Sequence, residues 1–184
     1  DGSQITNLTG GFLHGDILGA GMCAANEMEH AVVHTADGEK RFKDTALEYA
    51  MRGNVLYGQC NGFQLLVKTG LLPGIDGDFS RQTVTLTHND CGSYRVAPVL
   101  HKVDREHFAF KGVDDFAFYL WCRHGEGKLV FHTPYGSISK EEGERNMLKV
   151  NQSHVLLRYV DQSSWQPTEQ FPDNPNGSVD GIAG

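Results

Sequence analysis

Short apolar runs separated by glycine-rich breaks dominate the chain. Residues 5–8 (Ile-Thr-Asn-Leu) make a brief strand-like run that stops at Thr9-Gly10-Gly11. Gly15, Gly19 and Gly21 break the chain again before a helical stretch from Met22 to about His34. Residues 37–43 are polar and read as a loop, and helical spacing returns over 45–51 through Leu47, Ala50 and Met51. Asn54-Val55-Leu56-Tyr57 reads as a buried strand running into Gly58-Gln59-Cys60-Asn61-Gly62. Residues 63–68 then read as a helix, closed by Gly70 with Pro73 just beyond.

The second half is richer in strand signals. Residues 82–103 are β-rich through Val84, Leu86, Tyr94, Val96 and Val99. An aromatic strand is expected over 116–122, ending at Arg123-His124-Gly125-Glu126-Gly127, with a return strand over 128–132. Residues 140–149 are charged with helical propensity, and 154–160 read as another strand. Residues 163–177, rich in Pro, Asn, Asp and Gln, read as a loop. No internal repeat is visible. Helices alternating with strands predict an α/β protein with a mostly parallel sheet covered by helices on both faces.

Composition narrows the classes of partner. A chain of 184 residues fits one domain over 1–184. Its net charge of −7 disfavours nucleic acid and anionic membrane surfaces. The four cysteines, Cys23, Cys60, Cys91 and Cys122, form no CxxC pair, which excludes a zinc ribbon or a thioredoxin-type motif. They read as reduced thiols of a cytoplasmic protein. No apolar run has the length of a membrane span and no signal peptide is visible, although the chain starts with Asp rather than Met.

The chemistry points to residues 58–62. Gly-x-Cys-x-Gly between a strand and a helix is the cysteine counterpart of a nucleophile elbow. A residue at the tip of so sharp a turn is strained, and side chains at its flanks would collide. The turn projects the sulfur of Cys60 at the carboxyl edge of the sheet, at the positive end of the following helix. It also aims the amide of Asn61 at an oxyanion formed on the attacked carbonyl. Most cysteines near glycines are small buried hydrophobes, and Cys23, Cys91 and Cys122 keep that reading. No HxxEH or HxH cluster offers a metal site, and Gly10-Gly11 lacks the Lys-Ser/Thr of a phosphate loop.

Five strings in order resemble the glutaminase subunits of phosphoribosylformylglycinamidine synthase, which are class I glutamine amidotransferases. They are Gly10-Gly11-Phe12-Leu13-His14-Gly15-Asp16, residues 58–66 with Gly70-Leu71-Leu72-Pro73-Gly74, His124-Gly125-Glu126-Gly127-Lys128, Arg158-Tyr159-Val160-Asp161, and the tail from Asn174 to Gly184. The resemblance implies a flavodoxin-like fold. It implies that Cys60 attacks the side-chain amide of L-glutamine to form a thioester, with Gly11 and Asn61 as the oxyanion hole. Gln64 would help hold the glutamine, and Gly125 and Glu126 would lie beside its α-amino and carboxylate groups. The ammonia would pass to a separate synthetase subunit, joined by a small accessory subunit. This subunit itself would need no cofactor, and ATP and Mg would be used by the synthetase.

The departures are specific. Family members have a strand before the first glycine motif and a Met-Pro-His-Pro-Glu string after Ile-Ala-Gly. That string supplies the general base and its orienting carboxylate. It finds no matching position before Gly184, so the resemblance implies an incomplete domain, short at both ends. Gln59 replaces the small aliphatic residue more usual before the nucleophile. His124 and Glu126 copy the H-x-E spacing of the base pair, but the family has both strings, so neither is expected to act as that pair. Two alternatives stay open: another cysteine hydrolase of the same fold, or a catalytically silent regulatory subunit.

Overall fold

The computed structural model describes residues 4–12, 14–104, 107–134 and 136–182. The described residues up to Leu72, with Phe79–Gln82, form one compact unit. Pro73–Asp78 and the described residues from Thr83 onward form a second.

The first unit contains β1 (Ile5–Leu8), α1 (Met22–His30), β2 (Val32–Thr35), β3 (Gly38–Arg41), α2 (Phe42–Met51), β4 (Val55–Gly58) and α3 (Asn61–Lys68). β1 and β4 pair in parallel, with Leu8 opposite Gly58. α3 is the hub. Leu65 packs with Ala24 and Ala25 of α1, while Leu66 packs with Ala46 of α2 and with Leu71. Leu8 touches both clusters, so the strand that ends beside Cys60 is anchored on the same helix that Cys60 opens. Burying each of these leucines is worth about 1.5–3 kcal/mol. Gly70, with φ 74°, reverses the chain after α3. A side chain there would meet Arg81 O at 2.8 Å.

Three expectations change in this unit. β4 is not a buried strand, because the side chains of Val55 and Tyr57 are exposed. α1 ends at His30 rather than near His34, because Val32 and Val33 enter a hairpin instead. The polar 37–43 stretch is not a loop but β3 followed by the start of α2. Ala36-Asp37 closes the hairpin between Thr35 and Gly38, whose φ of 112° only glycine adopts freely. The Thr35 hydroxyl donates to Gly38 O at 2.8 Å, and Lys40 reaches Glu48 of α2 at 2.8 Å.

The second unit contains β5 (Thr85–Thr87), β6 (Arg95–Val103), β7 (Ala117–His124), β8 (Lys128–Val130), α4 (Lys140–Ser153), β9 (Val155–Tyr159) and β10 (Gly181–Ile182), with single 3-10 turns at Ile75–Gly77 and Phe108–Phe110. Its main sheet has the order β10-β9-β6-β7, and β5 pairs with β8. β6 and β7 run antiparallel from Arg95 opposite His124 to Lys102 opposite Ala117. β9 pairs with β6 only over 101–103, so Pro98 sits where β6 lacks a partner on that side and its missing N–H costs no ladder bond there. Ser139 caps α4 by accepting from Glu142 N at 3.2 Å, and Glu141 and Glu142 complement the helix dipole.

The α/β class stands as expected. Parallel pairing occurs between β1 and β4, whose connection is long enough to hold two helices; the other ladders among the described residues are antiparallel. Parallel strands need a crossover of a dozen or more residues, which the β1–β4 connection supplies. The two-residue β10 has too few positions to show a strand period in the sequence.

Candidate active site

The site begins with the turn between β4 and α3. Cys60 has φ 55° and ψ −119°, a conformation that costs a non-glycine residue about 1–3 kcal/mol. The surroundings force it. Gln59 N donates to Leu8 O at 3.1 Å, Gly62 N to Gln59 O at 3.0 Å and Gln64 N to Cys60 O at 3.1 Å. A side chain on Gly58 would strike Gly62 O and Leu66 at 2.7 Å, and one on Gly62 would stand 1.9 Å from Leu8 O. Both glycines of the motif are therefore steric necessities. The strain leaves Cys60 exposed at the tip.

Gly10, known from the sequence only as part of a family string, belongs to the same cluster. A β-carbon there would lie 2.7 Å from Cys60 Cβ and 3.1 Å from its sulfur. The backbone of residue 10 therefore packs on Cys60, and Gly11, with φ 142° and open space around it, follows directly. Leu13 of the same string lies outside the described residues. As the first residue of α3, Asn61 has no intrahelical acceptor for its amide, which leaves that N–H available beside Cys60. Its side chain is buried and donates to Gln64 Oε1 at 3.1 Å. A β-carbon on Gly21 would meet Gln64 Cβ at 3.3 Å, so the loop before α1 backs Gln64. Cys60, Asn61, Gln64 and the Gly10-Gly11 turn thus share one end of the first unit.

Gly125 and Glu126 lie on the turn after β7 in the second unit. Asn89, 3% exposed, grips that turn: its backbone N donates to Gly125 O at 2.8 Å and its Nδ2 to His124 O at 2.9 Å, while Oδ1 accepts from Gly127 N at 2.9 Å. Asn176, 1% exposed, donates from Nδ2 to Gly127 O at 3.1 Å. Glu126 Oε1 lies 3.9 Å from His88 Nδ1.

His124 occupies a buried polar chain. Asn89 Oδ1 lies 3.1 Å from its Nδ1, and Cys122 Sγ lies 3.1 Å from its Nε2. Asn89 Oδ1 can only accept, so Nδ1 carries the proton and Nε2 accepts from the thiol. Burial holds His124 below the usual histidine range and pushes the Cys122 thiol up to about 11, so the neutral pair is self-consistent. Tyr159 donates to Asp180 Oδ1 at 2.9 Å, and Asp180 Oδ2 lies 2.9 Å from His101 Nε2. Burial would raise the Asp180 pKa, but His101 and the Tyr159 hydroxyl outweigh it and hold the carboxyl low. The His124 ring is thus held by Asn89 and Cys122 rather than by Glu126, as the sequence reading expected of this H-x-E decoy.

Residues 1–184 match the CobB/CobQ-like glutamine amidotransferase domain. The chain belongs to that family. It is 34% identical over 185 residues to the phosphoribosylformylglycinamidine synthase subunit PurQ of Dehalococcoides mccartyi, covering 98% of this chain and 60% of that protein. It is 32% identical over 179 residues to the PurQ subunit of Archaeoglobus fulgidus, covering 95% of this chain and 59% of that one. The amidotransferase chain therefore spans about three-fifths of the length of these relatives. Among solved structures it is similar in fold to a chain of PurLQS from Thermotoga maritima, with a TM-score of 0.55 and 24% identity over 98% of this chain and 61% of that one.

Asn89 and Asn176, which hold the 124–127 turn, were not picked out in the sequence. Asn176 lies in a string that the family resemblance did quote, Asn174-Pro175-Asn176-Gly177-Ser178. Asn89 follows a short strand in an ordinary Asn-Asp pair, and nothing in its sequence neighbourhood marks its partners 35 residues away.

Proposed function

We propose that this amidotransferase chain belongs to the glutaminase subunit of a phosphoribosylformylglycinamidine synthase. One observation carries the chemistry: Cys60 is exposed on a strained strand-to-helix turn that two glycines and the Gly10 backbone enforce. The Cys60 sulfur attacks the carboxamide carbon of L-glutamine. The amides of Gly11 and Asn61 stabilise the resulting oxyanion. Collapse expels ammonia and leaves a γ-glutamyl thioester, which water hydrolyses to glutamate. Gln64 helps hold the glutamine, and Gly125 and Glu126 contact its α-amino and carboxylate groups. The resemblance carried by the five strings supplies the rest of the reading. Ammonia passes to a synthetase subunit that consumes ATP with Mg, with a small accessory subunit as a further partner. No cofactor is needed in this subunit. The setting is cytoplasmic; no helix among the described residues is long and apolar enough to cross a membrane.

The test is Cys60→Ser in the full-length protein with its synthetase. Glutamine-dependent amidine formation should vanish, while supplied ammonia still supports the reaction. Retained glutamine use would remove Cys60 from the role.

A further inference from the structure

The turn at 124–127 is held with unusual completeness for a loop that two glycines would otherwise leave free. Asn89 is almost fully buried, and both polar atoms of its side chain go to this one turn. Nδ2 donates to His124 O at 2.9 Å. Oδ1 accepts from Gly127 N at 2.9 Å and faces the protonated Nδ1 of His124 at 3.1 Å. Its backbone N donates to Gly125 O at 2.8 Å. His124 is itself locked by Cys122. A β-carbon on Gly127 would stand 2.5 Å from the His124 ring and 3.2 Å from Asn176 Nδ2, so the turn closes tightly on its own anchors. Glu126 lies between the two pinned glycines.

From this geometry we infer that Asn89 is a positioning residue for glutamine recognition: it fixes the backbone of Gly125 and Glu126 in the conformation that meets the substrate's α-amino and carboxylate groups. The inference rests on the reading of Gly125 and Glu126 as substrate contacts. Glycine-flanked backbone loses much conformational freedom when it is ordered. Asn89 imposes that order before substrate arrives, so binding does not have to supply it. Asn89 acts through the turn and not on the reacting atoms. Its loss therefore weakens binding in ground and transition state alike, which raises KM for glutamine and leaves kcat in place.

The experiment measures glutamine-dependent and ammonia-dependent rates of the full-length protein with its synthetase. Asn89→Ala should raise KM for glutamine by about tenfold or more, with kcat within about twofold and the ammonia-dependent rate unchanged. Asn89→Asp keeps the acceptor for Gly127 N but loses the donor to His124 O, and should fall between wild type and Asn89→Ala. Where Asn89→Ala does not fold, Asn89→Asp decides by the same criterion. Two further variants separate the inference from the reading beneath it. Gly125→Ala adds a methyl that meets Tyr94 at an ordinary 3.5 Å, and Glu126→Ala removes the carboxylate. If both leave KM unchanged, the turn does not touch glutamine and the reading fails together with the inference. If either raises KM while the Asn89 variants do not, the reading stands and Asn89 is not its positioning residue. A fall in kcat at constant KM in the Asn89 variants overturns the inference as well.

Discussion

Gly62→Ala puts the packing logic of the Cys60 turn to its most direct test. Gly62 is the second residue of α3, where alanine normally stabilises a helix by up to about 1 kcal/mol over glycine. Here the new β-carbon would stand 1.9 Å from Leu8 O, 2.6 Å from Leu8 C and 3.1 Å from Leu8 Cβ. A carbon approaches a carbonyl oxygen comfortably at about 3.3 Å, so α3 and β1 must separate by about 1.4 Å. Neither can do so cheaply, because Leu8 packs into both clusters on α3 and its carbonyl accepts from Gln59 N. Overpacking costs about 1–3 kcal/mol, and a weakened hydrogen bond about 1 kcal/mol. Set against the helix gain, the net is destabilising by about 2 kcal/mol. For a chain of this size that lowers Tm by about 4–8 °C. Thermal unfolding of the full-length variant against wild type measures it, with Gly11→Ala as the contrast. A side chain at Gly11 meets nothing within 4 Å and pays only for its φ of 142°. A Tm for Gly62→Ala equal to or above that of wild type would refute the close approach and the account of the motif built on it.

Gly10→Ala should act on chemistry more than on stability, because its β-carbon would meet Cys60 Cβ at 2.7 Å and displace Cys60, the proposed nucleophile. A displacement near 1 Å lowers glutamine-dependent kcat/KM by about 100-fold, while ammonia-dependent synthesis is retained; unchanged glutamine use would contradict it. Brief iodoacetamide treatment at pH 8, read by peptide mass spectrometry, should label exposed Cys60 and spare Cys122, whose buried thiol, with a pKa near 11, is roughly one part in a thousand thiolate at that pH. Equal labelling would place Cys122 in a different environment. His124 has a folded pKa below its unfolded value because burial disfavours its charged form. The unfolded chain therefore binds more protons in the window just below about pH 6.5, so stability is full above that pH and falls as pH drops toward the folded pKa. Denaturant titrations at pH 7 and 5.5 should show this loss, and His124→Gln should reduce it; an identical slope in the variant would remove His124 as its source.

Local chemistry was legible in the chain before any coordinates. The glycines at 58 and 62 around Cys60 follow from the stereochemistry of a sharp turn, because a residue at its tip tolerates no side chains beside it. The strand before that turn and the helix after it announce themselves through short apolar periods and the Gly70 stop, which depend only on near neighbours. The hairpin of β2 and β3 was hidden because the helical spacing before it and the polar residues within it each favoured another local choice. Pairing between Val32 and Arg41 and packing on α2 overrode both. Long-range geometry decided the rest. Gly10 packs on Cys60 only when β1 lies beside β4, and Asn89 becomes the clamp of 124–127 only when β5 and β8 pair. His124 is the sharpest case: its spacing to Glu126 looks like a catalytic pair in one dimension. In three, antiparallel β6 and β7 and the neighbouring β9 enclose it with Cys122 and Tyr159, and Asn89 takes its Nδ1. Spacing along a chain constrains only what a side chain could reach, whereas burial and the acceptors at hand determine which proton it holds.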